Sequence, residues 1–139
     1  MFRVREAVTS DLHPLAELIA ELGFEIDLDV LRNNLDALSA QRLGPLIADA
    51  GKVIGCVTYS IMPVLHRPSP VGRISMLVVT KGRRGQGVGR SLVEAAMERL
   101  GESGCCLCEV TSNMALIDAH AFYERLGFER TSVRLVRKM

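Results

Sequence analysis

At 139 residues, 48% of them hydrophobic, with a mean hydropathy of +0.21, the chain has the length of one domain, and its composition argues for a single well-filled core and against disorder. A net charge of +1 offers no broad field for nucleic acid or an anionic membrane, and no apolar run is long enough to span a bilayer. Met1-Phe2-Arg3-Val4-Arg5 lacks the apolar core of a signal peptide, so a cytoplasmic protein is expected, with Cys56, Cys105, Cys106 and Cys108 as reduced thiols.

Residues 2–8 alternate Phe2, Val4, Glu6, Val8 against Arg3, Arg5, Ala7, the pattern of an edge or half-buried strand. Thr9, Ser10 and Asp11 are all good N-caps for a helix whose Leu12, Leu15, Leu18, Ile19 and Leu22 share one face and which ends at Gly23. A second helix is predicted from about Asp27 or Asp29, with Leu28, Leu31, Leu35 and Leu38 in one stripe. The short connection Gly23-Phe24-Glu25-Ile26 suits either the wall of a substrate cleft or plain helix packing.

Residues 45–50 and 52–62 read as strands joined by a hairpin at Asp49-Ala50-Gly51-Lys52, and residues 63–70 form a proline-rich loop that cannot continue a ladder. Residues 71–79 are the next strand. A glycine loop follows, then a helix with Val88, Leu92, Ala96 and Leu100 on one stripe, broken at residues 101–104. Residues 105–111 are a strand, residues 115–126 a helix with Ala119, Phe122 and Leu126 inward and Gly127 as its stop, and residues 128–136 a last strand. Cys105-Cys106-Leu107-Cys108 lacks paired C-x-x-C spacing and a nearby histidine, so it reads as strand thiols rather than a metal site. The order β-α-α-β-β-β-α-β-α-β predicts an α/β (α+β) domain over residues 1–139, a mixed central sheet with helices on both faces.

The loop Arg84-Gly85-Gln86-Gly87-Val88-Gly89-Arg90 lies between a strand and a helix start. The first N–H groups of a helix have no internal partner and the helix dipole favours negative charge there, so this layout suits an anion. Glycine lets the backbone come close to a ligand. A P-loop would end Gly-Lys-Ser/Thr, but here the end is Gly89-Arg90-Ser91; a Rossmann fingerprint starting at Gly85 would need glycine at position 90. A flexible turn with solvated arginines is the remaining plain reading.

Arg84-Gly85-Gln86-Gly87-Val88-Gly89 resembles the pyrophosphate loop of the GNAT acetyltransferases. A second stretch, Ser112-Asn113 and then Ala119-His120-Ala121-Phe122-Tyr123-Glu124-Arg125-Leu126-Gly127-Phe128, is similar to a frequent ending of that family. The element order fits the GNAT fold along the whole chain. With Leu65-His66 upstream, the region from Glu109 to Phe128 resembles aminoalkylphosphonate N-acetyltransferases in particular, although related combinations occur in enzymes of other small amines.

The resemblance implies acetyl-CoA as cosubstrate. Backbone groups of Leu77, Val78 and Val79 would pair with the pantetheine arm, and the amides of Gly85, Gln86, Gly87, Val88, Gly89 and Arg90 would cradle the diphosphate. Arg84 would lie near the nucleotide, Asn113 near the thiol end and Tyr123 beside the sulfur. Acetyl transfer needs an N–H aimed at the developing oxyanion, for which Val79 is the candidate, and an acid for the departing thiolate, for which Tyr123 is the candidate. A tyrosine that only fills space beside Phe122, or only positions the cofactor, is the alternative.

The amine must also shed a proton. A lysine-like amine with a pKa near ~10.4 is neutral about one part in a thousand at pH 7, a deficit of roughly 4 kcal/mol. Many GNAT enzymes place a glutamate on the fourth strand for this step; here Arg73-Ile74-Ser75-Met76-Leu77 holds no carboxylate. Glu109, Asp118, His120 and Glu25 are candidate substitutes, and His66 with Arg67, or Arg73, could meet an anionic substrate. The expected partner is a small-molecule amine. A protein lysine or N-terminal acceptor, or an acyl-CoA-binding module without catalysis, are the alternatives, and a homodimer is left open.

Overall fold

The computed structural model of the chain describes residues 1–112 and 117–139. Five strands, β1 (Arg3–Glu6), β2 (Leu46–Asp49), β3 (Val53–Met62), β4 (Val71–Val79) and β5 (Leu107–Val110), lie side by side in chain order. The first three junctions are antiparallel and β4–β5 is parallel. Parallel neighbours need a long crossover, which α3 (Val88–Glu102) supplies.

Each face of the sheet carries its own apolar layer. On one face α1 (Leu12–Glu21) and α2 (Leu28–Ala40) bury Leu12, Leu15, Leu18, Leu31 and Leu35 against Ile47, Cys56 and Val78. On the other, Val88, Leu92, Val93, Ala96 and Leu100 of α3 pack on Ala48, Ile54, Val57 and Ile74, with Phe122 and Tyr123 of α4 (Ile117–Arg125) at the margin. Neighbours along a strand go to opposite layers, as Cys56 and Val57 do, which is why the central strands read as nearly unbroken apolar runs.

The hairpin follows its sequence: Gly51 is left-handed (φ +88°) and its N–H donates to Asp49 Oδ1 at 2.9 Å. Asp27 caps α2, accepting from the N–H groups of Asp29 (3.1 Å) and Val30 (3.3 Å). Asp11 does not cap α1 in this way. Its carboxylate turns back to accept from Val8 N–H (2.8 Å) and from both terminal nitrogens of Arg5 (2.9 and 3.0 Å), while Arg5 Nε donates to Asp49 (2.9 Å). A buried carboxylate with a guanidinium in reach is best satisfied by that partner.

The structure corrects the expectation of a sixth strand. Residues 128–139 form no ladder, and Val133, Leu135 and Val136 are exposed. After Gly127 (φ +94°) the Phe128 N–H donates to Tyr123 C=O, and Arg130 pairs with Glu124 at 3.0 Å, so the chain leaves along α4 rather than across β5. A strand-like composition states a fit to a pleated surface and needs a neighbour to be realised. The helix break is also shorter than the glycines suggest: α3 runs through Gly101, and Gly104 (φ +89°) takes the left-handed stop.

Candidate functional site

Among the described residues the sheet opens between β4 and β5. β4 has nine residues but β5 pairs only with Val71, Gly72, Arg73 and Ile74, so from Ser75 onward the far edge of β4 has no strand beside it among the described residues. The register on β3 slips there: Thr58 pairs with Met76 and Tyr59 with Ile74, leaving Ser75 as an extra residue. Such a bulge bends its strand and adds twist, which carries β4 away from β5. Nothing in the sequence signals it, since Ser75 is neither glycine nor proline.

Backbone alternation decides which groups line this edge. Thr80 N–H donates to Ile54 C=O at 2.8 Å, so Thr80 and Val78 face β3. Leu77 and Val79 therefore turn their N–H and C=O groups outward. Of the three residues expected to offer backbone to an extended ligand, the fold turns Leu77 and Val79 to the edge and gives Val78 to the ladder opposite Cys56.

The edge runs into the glycine loop. Gly85 (φ +78°) and Gly87 (φ +82°) are left-handed, a conformation side chains rarely adopt. Gly87 is the N-cap of α3, no side chain caps this helix, and its first turn holds no acidic residue. The Val88, Gly89 and Arg90 N–H groups precede any intrahelical acceptor and are free to face an anion, as is common at helix starts. Gly89 is fixed by packing: a Cβ there would meet the Phe122 ring at 3.3 Å. That contact docks α4 against the start of α3 and links the two sequence motifs in space.

The arginines divide the work. Arg84 folds back, its Nε donating to Val79 C=O at 3.0 Å and its guanidinium 3.8 Å from Glu21. Arg90 pairs with Glu94 at 2.9 Å. Arg83 has no ion pair among the described residues and lines a cleft of about 550 Å³ with Gln86, Ser91 and Phe2. Arg83 is the cation that motif reading passes over, because the motif begins one residue later.

Tyr123 sits between Phe122 (ring centroids 5.1 Å) and Phe128 (5.6 Å), both edge-on. Burial pushes its phenol up to about 12, with the neighbouring Cys108 thiol adding to the shift, so it holds its proton at neutral pH. Cys108 is itself pushed up to about 11 by burial.

The acceptor candidates are scattered. Arg73 pairs loosely with Glu109 on β5 (4.0 Å) and donates to Thr111 (3.0 Å); Glu109 is exposed. Cys108 packs on the α3 layer and strand neighbours alternate, so Glu109 and Tyr123 lie on opposite faces of β5. His66 is exposed in the turn before β4, beyond the end of that strand opposite the glycine loop, the strand itself being about 26 Å long at ~3.3 Å per residue. Glu25 lines an open cleft of about 470 Å³ with Ala16, Ala20, Phe24, Ile26 and Asp27. Asp118 is exposed and His120 half-buried on α4, while Asn113 lies outside the described residues. The hydroxyls of Thr58 on β3 and Ser75 on β4, 2.8 Å apart at the bulge, are polar groups that the sequence does not single out.

Residues 11–128 match the acetyltransferase (GNAT) family. The chain is 32% identical to aminoalkylphosphonate N-acetyltransferase of Salmonella typhimurium over 142 residues, covering 98% of this chain and 90% of that protein. It is 38% identical to N-alpha-acetyltransferase MAK3 of Arabidopsis thaliana over 80 residues, 58% of this chain and 41% of that one. The fold matches that of aminoglycoside N-acetyltransferase AAC(6')-Iy in complex with CoA, with a TM-score of 0.87 at 22% identity, covering 100% of this chain and 95% of that one. An open strand edge, left-handed glycines and an uncapped helix start fit a ligand with an amide-bearing arm and a diphosphate. The chain belongs to the GNAT acetyltransferase family and is an acyltransferase whose acetyl donor is acetyl-CoA.

Proposed function

We propose that the protein acetylates a small primary amine by direct attack in a ternary complex, with Tyr123 as general acid. The observation that carries this reading is the open β4 edge leading into the glycine loop, with α4 docked on that loop through Phe122 and Gly89. Leu77 and Val79 pair with the pantetheine arm. Gly85, Gln86, Gly87, Val88, Gly89 and Arg90 hold the diphosphate, and Arg83 and Arg84 balance its charge. Acetyl-CoA supplies the activated acyl group. Val79 N–H receives the oxygen on which charge develops, a role in which one positioned donor is worth about 3 kcal/mol.

Tyr123 gives its proton to the departing sulfur. A phenol near 12 protonates a thiolate only where the same dry surroundings also raise the thiol, and burial of Cys108 beside it supports such surroundings. Glu109, with Arg73 across from it, is the proposed group for taking up the amine proton through water. Arg73 and His66 would favour an anionic amine, in line with the relative that acts on aminoalkylphosphonates and aligns over almost the whole chain.

A protein N-terminus is the second reading. It is favoured by the cleft at Glu25 and Asp27, which is acidic and opens broadly to solvent, and by the shorter match to an N-alpha-acetyltransferase. Thiol release from acetyl-CoA across aminoalkylphosphonates, polyamines, aminoglycosides and peptide N-termini decides between them. Turnover on peptides alone would overturn the small-molecule reading.

Four free cysteines support a reducing, cytoplasmic setting. A homodimer is supported by the exposed Val133, Leu135 and Val136 and by β5, whose outer edge ends the sheet. Light scattering that gives a monomer at micromolar concentration would end the dimer reading.

A further inference from the structure

One carboxylate outside the sequence motifs touches the glycine loop at three points. Glu21 is the last residue of α1, in the layer on the opposite face from α3. Its Oε2 accepts from the Thr80 hydroxyl at 2.7 Å and its Oε1 from the Lys81 N–H at 2.8 Å, across 59 and 60 residues of sequence. The Arg84 guanidinium stands 3.8 Å from Oε1 while its Nε holds Val79 C=O. Both carboxylate oxygens are used, and the side chain keeps only 29% of its accessible surface.

This differs from an ordinary surface ion pair, in which two long side chains must both be immobilised. Here one partner is a backbone amide and another the hydroxyl beside it, already placed by the β3 ladder. The loop needs such a restraint: Gly82, Gly85 and Gly87 are all left-handed, and glycine loses more freedom on being fixed than any other residue. Apart from Glu21, the stretch from Val78 to Arg90 is held within itself by the Arg83 N–H on Thr80 C=O (3.0 Å), Arg84 Nε on Val79 C=O (3.0 Å) and Gln86 Nε2 on Gly82 C=O (3.4 Å). Glu21 is what ties it to α1.

We propose that Glu21 is a positioning residue for acetyl-CoA, holding the corner Thr80-Lys81 and the Arg84 side chain so that the loop meets the diphosphate in its binding shape. The inference rests on the diphosphate lying on this loop, as proposed above. The same strut reaches the acceptor side. Two residues beyond Glu21 the chain turns at Gly23 into Phe24 and Glu25, which line the open acidic cleft. Glu21 therefore joins that wall to the cofactor loop, so an amine that moves the end of α1 changes the affinity for CoA, and CoA changes the affinity for that amine by the same factor.

The test is the CoA dissociation constant by calorimetry, with kcat and KM for acetyl-CoA, in Glu21→Ala, Glu21→Gln, Thr80→Val and Glu21→Ala/Thr80→Val. Glu21→Ala is expected to weaken CoA and raise KM about tenfold while kcat at saturation stays within about twofold; Glu21→Gln, which keeps one acceptor oxygen, loses about threefold. The double variant is expected to be no weaker than Glu21→Ala alone, because the Thr80 bond is already gone. CoA affinity within about twofold of wild type in Glu21→Ala, or fully additive losses in the double variant, overturns the proposal. If Glu21→Ala does not fold, Glu21→Gln and Thr80→Val carry the same comparison, and unchanged CoA affinity in both overturns the proposal in the same way. A wild-type protein that does not bind CoA would fail the loop assignment itself, a result distinct from CoA binding that ignores Glu21.

Discussion

The two sides of the β4–β5 opening are built from different materials. The side that runs from Leu77 through the glycine loop to α3 is mostly backbone: outward N–H and C=O groups, left-handed glycines and an uncapped helix start. The side toward Glu25, His66, Arg73 and Glu109 is made of side chains on separate elements, exposed except for the half-buried Arg73, with one loose ion pair between them. A backbone-built site offers the same N–H and C=O groups whatever the side chains and suits a constant ligand. A site of exposed side chains is easily altered without disturbing the fold, which suits a variable acceptor.

Tyr123 stands at the junction of the two and should give the largest effect. Tyr123→Phe is expected to lower kcat about a hundredfold while CoA affinity, measured by calorimetry, stays within about twofold. A loss in CoA binding with little change in kcat would move Tyr123 to the backbone side, as a residue that only seats the cofactor. Phe122→Ala should weaken CoA binding, because Phe122 packs on Gly89 at the start of α3.

The contrast explains what can be read from the sequence. Glycine identity encodes backbone angle, so Gly85 and Gly87 announce their geometry, and helix stripes such as Leu12, Leu15 and Leu18 announce the layer they bury. Glu21 is silent because its partners lie some 60 residues away. Ser75 is silent because a bulge in mid-strand needs no special residue. The last strand misleads, since Val133 and Leu135 state a preference for a sheet and not the presence of an edge.

The fold can be weakened without touching either side. Asp11→Asn breaks the buried pair with Arg5 and should cost about 2 kcal/mol, less than a fully buried pair because Arg5 is 27% exposed. Arg5 first, then the Val8 N–H, hold the Asp11 carboxyl below its usual range against the opposing effect of burial. A depressed carboxylate stabilises the fold above its unfolded value of about 3.9, and this stability is lost as pH falls through the folded value. Thermal melts should show wild type losing stability below about pH 4 more steeply than Asp11→Asn. At neutral pH the variant's CoA affinity should match wild type; if it does not, the scaffold and the cofactor side are less separable than their construction suggests.

Gly87→Ala tests the backbone side alone. No atom lies within 4 Å of the added Cβ, so any effect comes from φ +82°. Forcing a side chain into that region costs about 1–2 kcal/mol, or roughly tenfold in CoA affinity where the free loop relaxes out of that shape and must regain it on binding. Gly87→Asn, which tolerates the left-handed region better, should recover part of the loss.

The smallest effect is expected on the acceptor side, and there its sign matters more than its size. Glu109→Gln removes the partner of Arg73, an exposed pair at 4.0 Å worth no more than about 1 kcal/mol. Water can take up the amine proton where an exposed carboxylate did, so kcat should fall only about threefold. The freed guanidinium, still tied to Thr111, is then more open to an anionic group on the amine. KM for an aminoalkylphosphonate should therefore drop about twofold, while KM for a polyamine, which loses a nearby negative charge, should rise. Opposite movements of the two constants would place the acceptor's far end at Arg73. Equal movements would place it elsewhere, with the cleft at Glu25 and Asp27 as the next wall to test.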